Sequence, residues 1–530
     1  MATRVLVCLL VAFILIGDSL AVTLSSKLIH RFSDEAKAFR VSRNGEPPGS
    51  WPRWRSMEYY QLLASSDLQL QKMKLGPQYQ LLFPSEGSKT MSFGNDFGWL
   101  HYMWIDIGTP NISFLVALDT GSDLLWVPCD CIQCAPLSAG YYNSLDRDLS
   151  EYRPSESSTS KHVNCSHELC ELGPNCKSLK QPCPYIVNYY SENTSSSGLL
   201  VEDILYLASS NDHTSKNLVH APVIIGCGRK QSGGYLDGVA PDGLLGLGLG
   251  DISVPSFLAK AGLIRNSFSM CFNEDDSGRI FFGDQGFATQ QSTPFLPLDG
   301  KYITYMVGVQ SCCIGNSCLK QTSFQAQIDS GTSFTFLPDE VYKKVTAEFE
   351  RQVNSTRLST KGFLWDYCYE ASSERLLSIP SVVLMFAPNN SFVVRNPTFL
   401  FYDNQGVSRF CLAIQRAEGN FGIIGQNFMM GYRIVFDREN LKLGWSRSNC
   451  QDLSDGKAMP LTPPAHDRPE NPLPTNEQQS TPTGRAVAPA VAGRAPSKPS
   501  SASPLLSAPH FLRMRLLPLL LLICLFLSAI

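Results

Sequence analysis

The amino-acid sequence predicts an all-β protein large enough to divide into two lobes or several domains. Three observations carry that expectation. The chain has 530 residues, well beyond one ordinary domain. Short apolar and β-branched runs recur between Gly, Pro, Asn and Asp turns: YMWIDIGTP, SFLVALDTG, APVIIGCG, RIFFGD, YMVGVQ, SFVVRN and YRIVFD. Such runs are strand-like in length and composition. The pattern D-[TS]-G-[ST] occurs at 119–122 and again at 329–332, so the chain carries an internal repeat.

Hydrophobic residues make up 43% and charged residues 17%, enough apolar content for a sizeable core. The formal net charge of −3 includes no basic excess, which argues against a nucleic-acid partner. The 17 cysteines are many for a cytosolic enzyme.

Residues 1–21 read as a signal peptide, with an early Arg, an apolar run and a small-residue boundary for cleavage after Ala21. The run from Val5 to Gly17 is short for a membrane span. Residues 22–95 are mixed in composition and show no strand alternation. They include a helix-like stretch, WPRWRSMEYYQLLASSDLQLQ, and read as a propeptide or an N-terminal extension. Residues 96–300 and 301–450 are β-rich. Within them, DEVYKKVTAEFERQV (339–353) follows Pro338 with amphipathic spacing and predicts a helix. Residues 451–503 are rich in Pro, Ser, Thr and Ala and predict an extended linker.

Residues 504–530 end in fifteen apolar residues at 516–530, fewer than a spanning helix needs. Small residues precede them, with Ser500, Ser501 and Ser503 as attachment candidates. The pattern is that of a glycosylphosphatidylinositol (GPI) attachment signal, and a retained tail anchor is the alternative. Five N-x-[ST] sequons, at Asn111, Asn164, Asn193, Asn354 and Asn389, fit an extracytoplasmic route. The predicted location is therefore the outer face of the plasma membrane, reached through the secretory pathway.

The repeated motif is where chemistry is expected. Asp119 and Asp329 lie 210 residues apart, and each follows a strand-like run and precedes apolar residues. Two carboxylates held close together share a proton, because both cannot ionise cheaply. The ionised one can activate water, while the protonated one polarises a carbonyl and later supplies a proton to a leaving amine. Gly121 and Gly331 permit a tight turn. The hydroxyls of Thr120, Ser122, Ser330 and Thr332 can orient the carboxylates. The plainer reading is a pair of Asx-turns at strand ends. No H-E-x-x-H, G-x-S-x-G or Walker loop is present, and no cofactor or metal is expected. The eight histidines show no paired ligand spacing, and His101 reads as a surface or core residue.

At these residues the chain resembles the pepsin-like aspartic peptidases, most closely their plant, nepenthesin-like branch, over about residues 101–447. That resemblance implies two β-rich lobes with the active-site cleft between them, here 96–300 and 301–450. It pairs each Asp loop with a hydrophobic-hydrophobic-Gly segment, here Leu244-Leu245-Gly246 and Ile423-Ile424-Gly425. It also implies a flap tyrosine. The usual Tyr-Gly-Asp-Gly is replaced here, and spacing to Gly198 selects Tyr190, with Tyr189 the alternative. Trp126 matches the tryptophan that supports the flap. Seven cysteines between Cys129 and Cys183 resemble the cysteine-rich insertion of the nepenthesin-like enzymes. Zinc at Cys129, Cys131 and Cys134 is a rival reading that oxidising secretion disfavours. By the same resemblance Cys227 pairs with Cys450 and Cys368 with Cys411. Without Cys8 and Cys524 in the processed ends fifteen remain, an odd number that leaves at least one thiol outside an internal bridge. The function implied is an acid-acting endopeptidase on polypeptide substrates, monomeric and tethered to the outer leaflet by a lipid. The alternative is a non-catalytic binding or inhibitor protein on the same fold.

Overall fold

A computed structural model describes residues 23–38, 51–75, 100–134, 151–170, 176–189, 194–208, 218–235, 240, 242–273, 277–298, 300–358, 365–371, 379–403, 406–417 and 419–450. Its strands form one 14-stranded, one 9-stranded and one 3-stranded sheet, and the bilobal all-β expectation holds. The seven strand-like runs quoted above all fall on strands.

The same four-strand unit is built twice. In the first lobe β3 (Ile112–Asp119) runs parallel to β8 (Leu244–Gly246), with Asp119 opposite Gly246. β8 lies antiparallel to β4 (Leu125–Gln133) at Trp126, and β4 runs parallel to β7 (Leu218–Ser232). In the second lobe β12 (Phe324–Ile328) lies antiparallel to β11 (Lys301–Ile314) and runs parallel to β15 (Gly422–Ile424). β15 meets β13 (Thr335–Pro338) at Phe336, and β13 runs parallel to β14 (Ile414–Ala417). Both units thus insert a late strand between two early ones, and each Asp motif ends the first strand. Phe114 to Asp119 are all buried, as expected of a strand covered on both faces.

The lobes share a sheet. β9 (Ser267–Phe272) pairs with β10 (Gly278–Phe282) and with β16 (Tyr432–Asp437), which pairs with β17 (Lys442–Arg447). The N-terminal segment enters this sheet as well, contrary to the sequence expectation. β1 (Leu24–His30) pairs antiparallel with β10 on one side and with β2 (His101–Ile107) on the other. Its end, Leu28-Ile29-His30, is buried throughout. A strand paired on both edges and covered on both faces need not alternate, so period-two reading missed it.

The helix-like stretch forms α1 (Met57–Leu75). The predicted amphipathic helix forms α2 (Asp339–Gln352), burying Val341, Tyr342, Val345, Thr346 and Phe349. That i, i+4, i+8 stripe is the expected apolar face.

Seven disulfides and one buried free thiol, Cys312, account for the described cysteines. Cys368–Cys411 forms as expected. Cys227 and Cys450 do not pair with each other. Cys227 binds Cys129, because the parallel β4–β7 register places Val127 opposite Cys227 and brings the two Cα atoms to 4.8 Å. Cys450 binds Cys271, a residue of β9 on the shared sheet. Within the cysteine-rich insertion Cys131–Cys134, Cys165–Cys176 and Cys170–Cys183 are local staples. The three sulfurs of the zinc reading are thus each covalently bound.

Candidate active site

Each catalytic candidate sits at the end of a buried strand, where the chain turns sharply. Asp119 Oδ1 accepts from the Gly121 N–H at 2.9 Å, and its Oδ2 accepts from the Ser122 hydroxyl at 2.7 Å. Asp329 repeats the pattern, from the Gly331 N–H at 2.9 Å and the Thr332 hydroxyl at 2.8 Å. The Asx-turn reading and the catalytic reading therefore describe one object. The turn brings the i+2 N–H and the i+3 hydroxyl onto the carboxylate. The i+1 residue is left out. Thr120 Oγ1 is buried with no hydrogen-bond partner among the described residues, which corrects the expectation that all four hydroxyls orient carboxylates. Ser330 is buried beside Asp329.

The carboxylates are 4% and 1% exposed. The two motifs face each other across the lobes. A Cβ placed on Gly121 would lie 3.6 Å from Gln327 Nε2, two residues before Asp329.

The hydrophobic-hydrophobic-Gly segments close each loop from behind. Leu247 N donates to Asp119 O, and Asp329 N donates to Ile424 O. A Cβ on Gly246 would come within 2.3 Å of the Asp123 carbonyl carbon, and one on Gly425 within 2.3 Å of Phe334 O. No side chain fits at either position, which gives the two glycines their reason.

Trp126 is buried on β4, edge-on to Tyr235 with ring centroids 4.8 Å apart. Gly226 lies opposite Trp126 in the β4–β7 register, and a Cβ there would meet both Trp126 Cβ and the Tyr185 ring. Tyr185 belongs to β5 (Pro184–Tyr189), which forms a hairpin with β6 (Thr194–Ala208). Trp126 thus lies against the hairpin expected to be the flap. The last hairpin pair is Tyr189 with Thr194. Tyr190 and Asn193 lie outside the described residues, as do residues 1–21, the linker and Ser500, Ser501 and Ser503. Asn111, Asn164, Asn354 and Asn389 are exposed. His101 is a core residue, packed against Phe272 and His30.

One residue at the site escaped the sequence reading. Asp67 of α1 is 1% exposed, and its two oxygens accept from the Ser333 and Phe334 N–H groups, both at 2.8 Å. Those residues directly follow the Asp329 motif. Burial pushes Asp67 up to about 7, against the two N–H bonds and aided by the neighbouring Asp329 charge. A signal did exist: Tyr60, Leu63, Ala64 and Asp67 fall on one helix face, so an acid stands in line with an apolar stripe.

Two Asp loops on a duplicated β scaffold, each carboxylate held by the same two donors, define a pepsin-like aspartic protease fold and site. The family described as "Xylanase inhibitor N-terminal" matches residues 101–284, and "Xylanase inhibitor C-terminal" matches residues 304–447. The chain is 58% identical to Aspartic proteinase-like protein 1 of Arabidopsis thaliana over 93% of both chains. It is 43% identical to Aspartyl protease family protein 1 of Arabidopsis thaliana, over 79% of this chain and 80% of that one. It is 24% identical to Aspartic proteinase nepenthesin-2 of Nepenthes gracilis, over 70% of this chain and 82% of that one. The chain belongs to the pepsin-like aspartic protease family, with its relatives among plant aspartyl proteases.

Proposed function

We propose that the protein is an active aspartic endopeptidase, with Asp119 and Asp329 as its catalytic pair. The observation that carries this reading is the matched set of donors on the two buried carboxylates. With one proton between them, the ionised aspartate draws a proton from water as it attacks the scissile carbonyl. The protonated aspartate hydrogen-bonds the carbonyl oxygen as charge develops there. Collapse of the tetrahedral intermediate passes a proton to the leaving amine. The N–H and hydroxyl donors hold each carboxylate in place throughout, so little reorganisation is needed. Activity belongs to acid pH, where the shared proton is retained.

The sequence patterns at the two ends support the rest of the proposal. Residues 1–21 direct the chain to the secretory pathway, and 22–95 are a propeptide or extension. The lobes span 96–300 and 301–450. Residues 451–503 form a linker, and 504–530 are exchanged for a lipid anchor near Ser500, Ser501 or Ser503. Among the described residues no helix is long and apolar enough to cross a membrane. The flap tyrosine is Tyr190 or its neighbour Tyr189, the sequons carry glycans, and the enzyme works on polypeptides as a monomer.

A second reading, a non-catalytic binding protein on the same fold, is favoured by the inhibitor description of the matching family. Asp119→Asn and Asp329→Asn separate the two. Each is expected to remove peptide cleavage at pH 3–5 by at least about a thousandfold while secretion and folding persist. Full cleavage by either variant, or none by the parent chain at any pH, sinks the catalytic reading.

A further inference from the structure

One short stretch of the second lobe reaches the backing of both aspartate motifs. Thr304 and Tyr305 are neighbours on β11, and both are buried. Successive strand residues point to opposite faces, so the two side chains serve different partners. Thr304 Oγ1 accepts from Gln327 Nε2 at 3.1 Å, two residues before Asp329. Tyr305 Oη donates to Leu247 O at 2.6 Å. Leu247 directly follows the glycine of the first hydrophobic-hydrophobic-Gly segment, and its own N–H donates to Asp119 O at 2.9 Å. A chain of two hydrogen bonds thus runs from the second lobe through Leu247 to the backbone of Asp119.

The tyrosine is held for this contact. Its ring sits among Phe268, Phe295 and Phe436, with centroids 6.1, 5.1 and 4.8 Å away. Burial pushes its hydroxyl above the ordinary tyrosine range, with Arg438 pulling the other way, so it remains a donor. Arg438, also from the second lobe, grips the next residues of the same segment. Its Nη2 donates to Ser253 Oγ at 3.0 Å and to Ser256 Oγ at 2.8 Å. Both serines in turn donate to Gly250 O, at 2.7 and 2.8 Å, and the Gly250 N–H donates to Asp123 Oδ1 at 2.7 Å. Gly248 N donates to Ser122 O at 2.8 Å, so the residues after Asp119 are bound to this segment as well. In the second lobe the corresponding segment is held differently. Asn427 Nδ2 donates to Ala413 O at 2.6 Å, and Asn427 Oδ1 accepts from Thr335 Oγ1 at 2.9 Å. The backing of the first motif is thus fixed from the other lobe, and that of the second from its own.

We propose that Tyr305 is a positioning residue for Asp119, and that Thr304 and Tyr305 together form a strut that sets the spacing of the two aspartate loops. A shift of the segment at Leu247 carries Asp119 with it, because Asp119 pairs with the adjacent Gly246 in the β3–β8 register. How two carboxylates share a proton depends on their separation. A small displacement of one loop therefore alters how the pair ionises more than it alters how a polypeptide is bound. What the strut does for cleavage rests on the endopeptidase reading; its contacts do not.

The test compares the secreted parent chain with Tyr305→Phe, which keeps the ring and removes the hydroxyl. Amide exchange is followed at Leu247 and, as a remote reference, over α2. On a peptide substrate, kcat, KM and the pH–rate profile are measured, with active sites counted by a tight-binding transition-state inhibitor. The Leu247 amide of Tyr305→Phe is expected to exchange at least about tenfold faster, with α2 unchanged. Per active site, kcat should fall at least about fivefold, KM should stay within about twofold, and the acid limb of the profile should move. A merely structural hydroxyl would lower thermal stability and the number of active sites but leave kcat per site and the limb in place; that result overturns the positioning role. Unchanged exchange at Leu247 overturns the strut, whatever the activity. Thr304→Val keeps the side chain's shape and removes the acceptor for Gln327. It should displace the same limb, and it decides the matter alone if Tyr305→Phe is not secreted; an unmoved limb there overturns the strut. Faster Leu247 exchange in proteins that cleave nothing, parent included, upholds the strut and counts against the endopeptidase reading.

Discussion

Two buried ionisable groups on the N-terminal segment pull its attachment in opposite directions as pH changes, and single substitutions should expose each one. His30, on β1, is packed against His101, Phe32 and Tyr59, with Arg31 beside it. Burial and then the Arg31 charge hold its imidazole down at about 3, against 6.5 when free. The detached segment binds the proton more readily, so this contribution is present above 6.5 and is lost as pH falls toward 3. Asp67 has the reverse sign. Its attached value near 7 exceeds its free value of 3.8, so the attached state takes up the proton. That contribution is full below 3.8 and is lost as pH rises through about 7.

At about 1.4 kcal/mol per pH unit, moving from pH 7 to 5 costs about 2 kcal/mol through His30 and gains about 2 kcal/mol through Asp67, which is already half protonated at pH 7. The parent chain should therefore change little, because the two contributions nearly cancel. Asp67→Asn removes the gain and leaves the loss, so β1 and α1 should exchange about 30-fold faster at pH 5 than at pH 7 after correction for intrinsic exchange. His30→Phe keeps a ring of similar size and removes the loss, so protection should rise by about 50-fold over the same interval. Opposite slopes in the two variants are the signature, because a mere packing defect shifts protection equally at both pH values. Parallel slopes, or a flat response in Asp67→Asn, would refute the reasoning.

The remaining predictions are shorter. Ser122→Ala and Thr332→Ala each remove a hydroxyl that donates to the carboxylate of Asp119 or Asp329, at 2.7 and 2.8 Å. A charge-assisted bond of about 1.5–3 kcal/mol implies a fall in kcat of about 10- to 150-fold with KM little changed, and a shifted limb of the pH–rate profile. An unaltered pH–rate profile would count against the orienting role. Phospholipase C treatment of membranes from cells expressing the full chain should release the protein into solution. Retention on the membrane would favour an uncleaved apolar tail.

The paired aspartate motifs were legible because they are duplicated and their residue types follow from the chemistry such a pair would perform. A carboxylate, a glycine that turns the chain and a hydroxyl three residues on recur at Asp119 and Asp329, and all three do in the fold what that pattern implies. The exception is instructive. Thr120 occupies the same motif, yet the turn carries its hydroxyl away from the carboxylate, a matter of direction that composition does not encode. Strand runs such as SFLVALDTG were legible by their apolar β-branched content. β1 was not, because a centrally paired strand need not alternate and LSSKLIH is too short and polar to declare itself. The cysteines show a further limit. Cys368 and Cys411 were correctly joined, whereas Cys227 and Cys450 were joined to each other and instead bind Cys129 and Cys271. Which sulfur is nearest depends on the parallel β4–β7 register and on β9 reaching the shared sheet, both products of the assembled fold.

Asp67 belongs to a different class of omission, and it changes how the N-terminal segment is understood. Read as sequence, 22–95 is a stretch ahead of the first motif with a helix in it. In the fold it adds a strand between β2 and β10 and lays a helix over the Asp329 loop. Both additions satisfy backbone groups of the two lobes. β1 takes up the backbone edges of β2 and β10, and Asp67 takes up two N–H donors beside the second aspartate. Removing the segment would therefore expose a sheet edge and a pair of orphan amides at once. Edges and buried amides without partners are costly, so the freed body must find substitutes.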